Sequence, residues 1–158
     1  MVLIRALIYA TLFMGLVLVF VPASLLARYG IVQPPHFGVV EVAGALISAL
    51  GAALAIWCVL TFALIGKGTP ALFDPPRRLV IRGPYRYVRN PMYIGAGLAV
   101  IGAAIVYHSW ALAVYVLVLA VLLNLLVWFY EEPTLTRMFG AEYEAYKAAV
   151  SRWIPRWP

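Results

Sequence analysis

Four long apolar segments decide what this chain can fold into: Leu3 to Ala27, Val39 to Ile65, Tyr93 to Tyr107 and Trp110 to Tyr130. A bilayer-spanning helix needs about 20 apolar residues, and inside hydrocarbon the backbone must satisfy its own polar groups. The third segment is short. Its successor follows after only His108 and Ser109, so the two are predicted to form a tight helical hairpin whose span borrows a few flanking residues. Hydrophobic residues fill 65% of the 158 positions and charged ones only 11%, which leaves too little polar surface for a water-soluble fold. The polar stretches Arg28 to Phe37, Gly66 to Met92 and Glu131 to Pro158 are too short to bury cores of their own, as chains below about 40 residues rarely do. The prediction is an all-α membrane protein in which residues 1–158 form a single integral membrane domain. Its four transmembrane helices lie at about 3–27, 39–65, 93–107 and 110–130, with a cytosolic basic loop at 66–92 and a tail at 131–158 that carries a C-terminal interfacial helix.

Arg5 ahead of an apolar run, with Pro22-Ala23-Ser24 after it, imitates a secretion signal, but the run is longer than the ~7 to 15 residues of a signal core. An uncleaved helix kinked at Pro22 is expected instead. Lys67, Arg77, Arg78, Arg82, Arg86 and Arg89 lie between the second and third segments, whereas Arg28 stands alone between the first and second. By the positive-inside rule the basic loop faces the cytosol, and with four spans both termini do too. The small size points to a bacterial inner membrane. The net charge of +6 is accounted for by residues flanking spans, so nucleic acid is not an expected partner. Cys58, the only cysteine, sits in an apolar run as a small core residue, and His36 and His108 fall on the far face, so no metal site is expected.

Gly44, Ser48, Gly51 and Ala55 in the second segment, and Gly95, Ala99 and Gly102 in the third, recur at spacings that stack small residues on one helical face. They are read as close helix packing. The lone Gly95-Ala96-Gly97 follows no strand and is no evidence for a nucleotide fold.

Three constellations have chemical capacity. The run RGPYRYVRNPMYIGAG, Arg82 to Gly97, crosses from the basic loop into the third helix. Pro91 marks the helix start and Asn90 is a plausible cap. Free backbone N–H groups there, beside Arg86 and Arg89, suit an anion such as a carboxylate, although arginines that only reach for headgroups would look the same. Glu131-Glu132-Pro133 follows the last apolar run, where acids are costly near a helix C-terminus and a membrane boundary, so the pair needs a cationic partner: a loop arginine, or a ligand's ammonium or sulfonium. Asn124, Trp128 and Glu131 share one helical face beneath it. In the tail, Tyr143, Tyr146 and Val150 recur at helical spacing and Trp153 and Trp157 follow, as in an interfacial helix that anchors the chain or covers the glutamates as a lid.

The GPYRYVRNPMYIG run, the EEP motif and the FGAEYEAY segment, in this order, resemble the isoprenylcysteine carboxyl methyltransferase and phospholipid methyltransferase families of integral membrane enzymes, over about Leu79 to Pro155. The resemblance implies S-adenosylmethionine bound at the cytosolic side by the loop, the glutamates and the C-terminal helix. Carried across by position, Arg89 and Glu132 are the implied catalytic residues. Tyr85, Asn90, Pro91, Tyr93, Gly95, Glu131, Tyr143 and Tyr146 are the implied cofactor-binding ones. Carboxyl methyltransferases commonly have histidine after the arginine, and Asn90 departs from that towards phospholipid-methylating relatives.

The expectation is therefore a methyltransferase acting on a lipophilic acceptor among membrane lipids, isoprenylcysteine carboxyl O-methyltransferase-like, with phospholipid N-methylation as the close alternative. A non-catalytic scaffold that binds anionic lipids is the alternative of another class. A carboxylate acceptor needs no base, whereas an amine must first lose a proton, which would give Glu131 or Glu132 a second task.

Overall fold

The computed structural model describes residues 8, 11–31, 34, 38–66 and 78–155. The loop cations Lys67 and Arg77, the start of the first apolar segment, His36 and Trp157 lie outside these residues. Among the described residues every regular element is helical. Helix α1 runs Thr11–Arg28, α2 Val39–Ile65, α3 Pro91–Val106, α4 Trp110–Phe139 and α5 Ala141–Ala149.

Three of these, α1, α2 and α4, are long and apolar enough to cross a membrane. The third predicted span is shorter than that. Its 16 residues rise about 24 Å against a hydrocarbon core of about 30 Å, because Pro91 fixes one end and the turn Tyr107–Ser109 the other.

The small-residue stripes build the bundle's tightest interface. Gly44, Gly51 and Ala55 of α2 are buried facing Gly95, Ala99 and Gly102 of α3. The backbones approach so closely that a Cβ on Gly95 would lie 2.8 Å from the Ala55 amide nitrogen. Ser48 Oγ donates to the Ala99 carbonyl at 2.8 Å, a polar tie suited to a medium without water. At the far end Ser109 caps α4, its Oγ accepting from Leu112 N, and His108 turns the hairpin with φ 48°. The buried Glu41 carboxylate takes the Gly38 N–H at 2.7 Å and pairs with His108 Nε2 at 2.6 Å, so the hairpin turn is fastened to the start of α2.

The expectation that the fourth helix ends at Tyr130 is corrected. The chain stays helical through Glu131-Glu132-Pro133 to Phe139, because Val127–Glu131 forms a wider π-type turn just ahead of the proline. That turn absorbs the N–H that Pro133 lacks. The same device precedes Pro22, where Gly15–Phe20 is a π-type segment inside α1. Since about 20 residues of α4 fill the hydrocarbon core, Glu131 and Glu132 emerge at its boundary on a continuous helix rather than in a tail. Gly140, at φ 51°, then turns the chain into α5.

Candidate functional site

The basic end of the bundle is assembled from the loop before α3, the emerging turn of α4, and α5 with the segment after it. Gly83, at φ 60° and packed against Thr61, opens the short 3-10 turn Gly83–Arg86. That turn buries Tyr85 against Cys58 and Val80, with Phe62 at 5.4 Å between ring centroids. The Tyr146 hydroxyl reaches across to donate to the Tyr85 carbonyl at 2.6 Å. Tyr143, Tyr146 and Val150 form a second small core with Leu79, Leu135 and Phe139. Here α5 is a lid packed on the loop.

The segment after α5 fastens the lid. Arg89 N donates to the Ser151 carbonyl at 2.9 Å, and Asn90 Nδ2 to the Arg152 carbonyl at 3.2 Å. Asn90 stands at the N-cap position of α3 as expected, but its side chain makes no cap bond and holds the lid instead. Trp153 Nε1 donates to Asn124 Oδ1 at 3.0 Å, which gives a polar group inside a membrane helix its partner.

Glu132 lies at the centre, 13% exposed. Arg89 Nη1 meets its Oε1 at 2.8 Å, and Arg152 grips both oxygens, Nε to Oε1 at 2.8 Å and Nη2 to Oε2 at 2.7 Å. The Glu132 hydrogen bond holds the Arg152 guanidinium above its ordinary pKa. Glu131 points elsewhere and accepts from the Tyr93 hydroxyl. Among the described residues the buried Nε of Arg89 has no hydrogen-bond partner, an arrangement that normally costs about 1–3 kcal/mol and suits an oxygen-bearing ligand. Burial, and after it the Glu132 charge, pushes the Tyr143 hydroxyl up, against the Arg89 hydrogen bond, so it stays a neutral donor beside the carboxylates.

Two cavities lie near this centre, one lined by Glu132 and one reached through Tyr93. One, of about 530 Å³, is lined by Glu132, Thr136, Arg137, Lys147 and the stacked rings of Trp128 and Phe129. The other, of about 420 Å³, is an apolar groove between α3 and α4 running from Tyr93, Leu123 and Trp153 to Ile101 and Val116. Both fall in the size range of small-molecule sites. Glu132 lines the first cavity, and Tyr93, which lines the groove, donates to Glu131.

One family profile, described as phospholipid methyltransferase, matches residues 39–142, well over half of the chain. The chain belongs to the phospholipid methyltransferase family. No curated protein and no solved structure matches it. The match takes in α2, α3, the loop and both glutamates of this methyltransferase family member but stops at Glu142, just ahead of the lid residues Tyr143, Tyr146, Arg152 and Trp153.

Within this member of the phospholipid methyltransferase family, the structure brings together Arg89, Glu132 and Tyr143, while Asn90 binds the Arg152 carbonyl and Tyr93 pairs with Glu131 alongside. Tyr85 and Tyr146 join the lid to the loop one step behind it. Pro91 is buried at the first helical position of α3. Gly95 goes elsewhere: it is used up in packing against Ala55. Arg86, paired with Arg89 on the sequence as an anion ligand, is exposed and lies over the Tyr87 ring. Arg152 escapes sequence reasoning because it lies 20 residues beyond Glu132 in a basic tail and belongs to no motif.

Proposed function

We propose that this chain transfers a methyl group from S-adenosylmethionine to the amine of a lipid at the cytosolic face of the membrane, with α3 completing a bundle of four membrane-crossing helices. The observation that carries the reading is that Glu132 lines one cavity while its neighbour Glu131 is bonded to Tyr93 at one end of an apolar groove, so that two different ligands can approach the same pair.

The residues present fit the cofactor. Arg89, whose Nε has no partner among the described residues, suits the cofactor's carboxylate from behind Glu132, and the Trp128 and Phe129 rings suit its aromatic part. When bound, S-adenosylmethionine supplies an electrophilic methyl on a sulfonium. The chain's own tasks are to align the acceptor, exclude water and manage one proton. A lipid amine arrives at the groove mouth as an ammonium, which the Glu131 carboxylate attracts. Glu131 takes its proton, and the freed lone pair is the nucleophile. Tyr93 holds that carboxylate in place. The acid at the groove mouth is what favours an amine over the carboxylate acceptor of isoprenylcysteine methyltransferases, which Glu131 would repel; Asn90 in place of histidine points the same way.

The test is calorimetric titration of S-adenosylmethionine, or its demethylated product, into detergent-purified protein, wild type beside Glu132→Gln and Arg89→Ala. The expected result is saturable binding by wild type that both variants lose. No binding by folded wild-type protein would overturn the reading and leave a scaffold that binds anionic lipids, recognisable by salt-sensitive vesicle binding.

A further inference from the structure

Helix α3 carries three glycines, and two of them are explained. A Cβ on Gly95 would lie 2.8 Å from Ala55 N, and one on Gly102 would lie 2.7 Å from the Ser48 Cα, so both positions must be bare for α2 and α3 to touch. Gly97 is different. A Cβ there would meet nothing within 4 Å. Glycine is the weakest helix former after proline, and at Gly97 no close helix contact requires it.

What Gly97 faces is the apolar groove, on the side of α3 turned away from α2. Tyr93 and Ile101 lie one turn to either side of it on the same stripe. In the antiparallel hairpin turned at His108, Ala120 of α4 stands level with Gly97, while Leu123 stands level with the Tyr93 end and Val116 with Ile101. The two smallest lining residues therefore face each other at the groove's midpoint. From Tyr93 to Ile101 the groove covers about 12 Å of helix rise, on the order of ten bonds of extended chain and most of one leaflet's hydrocarbon depth. One end opens on Tyr93 and its Glu131 partner, and the rest lies where lipid chains are.

We propose that Gly97 is the gauge of this groove: it lets a single hydrocarbon chain of the methyl acceptor pass the midpoint and bury on the order of ten bonds of its length. The inference rests on the reading of this chain as a lipid methyltransferase for the occupant's head, and on the groove alone for its tail. A leucine at Gly97 fills the midpoint without touching α2 and leaves only the half beside Tyr93. Each methylene denied burial forfeits a factor of about four in affinity, so closing the deep half, about five methylenes, weakens a long chain on the order of a thousandfold and leaves a chain of about four carbons almost unchanged.

The experiment uses the full chain in lipid nanodiscs and a dodecylamine carrying a diazirine on its last carbon, cross-linked by light and mapped by mass spectrometry. The expected result is labelling near Ile101 and Val116, competed by excess unlabelled dodecylamine and lost in Gly97→Leu, while Gly97→Ala retains it. Ala120→Leu, which narrows the same point from the opposite wall, gives the same loss and keeps the test decisive if Gly97→Leu fails to fold. Unchanged labelling in both folded leucine variants overturns the proposal, as does wild-type labelling confined to outward residues such as Leu117 and Val121. Titration of the demethylated cofactor product into the same samples separates the two claims. Cofactor binding that persists while the labelling pattern fails sinks the gauge alone. The labelling pattern without cofactor binding sinks the methyltransferase reading and leaves the gauge.

Discussion

Arg152 holds Glu132 through two parallel hydrogen bonds, Nε to Oε1 at 2.8 Å and Nη2 to Oε2 at 2.7 Å, and so ties the end of the chain to the centre of the candidate site. The fork geometry is one that lysine cannot reproduce. Arg89 holds the same carboxylate from the opposite element, and the Arg152 and Ser151 carbonyls accept from Asn90 Nδ2 and Arg89 N. Lid, loop and α4 therefore close on one residue.

Replacing Arg152 opens that closure without removing the cations of the loop. Arg152→Lys is expected to lower turnover about tenfold and Arg152→Ala further, since a charge-assisted pair this well oriented is worth about 1.5–3 kcal/mol before solvent screening of a partly exposed partner. Hydrogen exchange at the Arg89 amide, which donates to the Ser151 carbonyl, checks the cause, because it should lose protection in both variants while α2 and α3 keep theirs. Lost turnover with full lid protection would contradict it.

The lid should also fail in alkali. Burial above all raises the Tyr85 and Tyr146 hydroxyls over the ordinary tyrosine value of about 10. A folded-state pKa above the unfolded one gives stability that is fully present below the unfolded value and lost as pH rises towards the folded value. Lid protection is therefore expected to be flat from neutrality to about pH 9 and to fall beyond about pH 10, together with the appearance of phenolate absorbance. Tyr146→Phe, which strips the Tyr85 carbonyl of its donor, should cost about 1 kcal/mol already at neutral pH, read as a lower unfolding temperature.

How much of this was legible in the sequence differs by residue, for physical reasons. A bilayer demands long apolar helices, so α2 and α4 are plain, and close packing demands small residues every turn, so the Gly44 to Ala55 and Gly95 to Gly102 stripes are plain too. The need of a boundary carboxylate for a cation anticipates an ion pair such as Arg89 with Glu132. Proline ordinarily stops a helix, so nothing in Glu131-Glu132-Pro133 announces a helix that widens by one π-type turn and continues. Asn90 fits a cap by type and position, and only the fold brings it the Arg152 carbonyl, 62 residues away. Glu41 is hidden in an apolar run whose average hydropathy it barely changes.

The α2–α3 interface predicts a contrast between glycines. Gly102→Ala puts a methyl against the Ser48 backbone and should cost about 1–3 kcal/mol, the usual penalty for overpacking. Gly97→Ala adds the same atom in open space and should be neutral or stabilising through helix propensity. Thermal unfolding of the two variants in one detergent decides this. Equal losses would mean that α3 is turned differently against α2.

Glu41 offers the last separation, between holding the bundle and doing its chemistry. Its carboxylate is 2% exposed, takes the Gly38 N–H and meets His108 Nε2, so it joins the start of α2 to the turn between α3 and α4. About 20 residues of α2, near 30 Å of rise, separate it from Thr61 beside the loop at the other end. Glu41→Leu removes the cap and the fastening together and is expected to destabilise the fold by about 1–3 kcal/mol, as loss of a cap and a charged hydrogen bond does. Glu41→Gln keeps an acceptor for Gly38 and should lose less. In both, affinity for the demethylated cofactor product should stay within about twofold of wild type wherever the protein remains folded, because additivity holds for distant sites without shared partners. A large affinity loss in folded Glu41→Gln would mean that the hairpin turn sets the position of α3, and with it Tyr93 and Glu131, across the full height of the membrane.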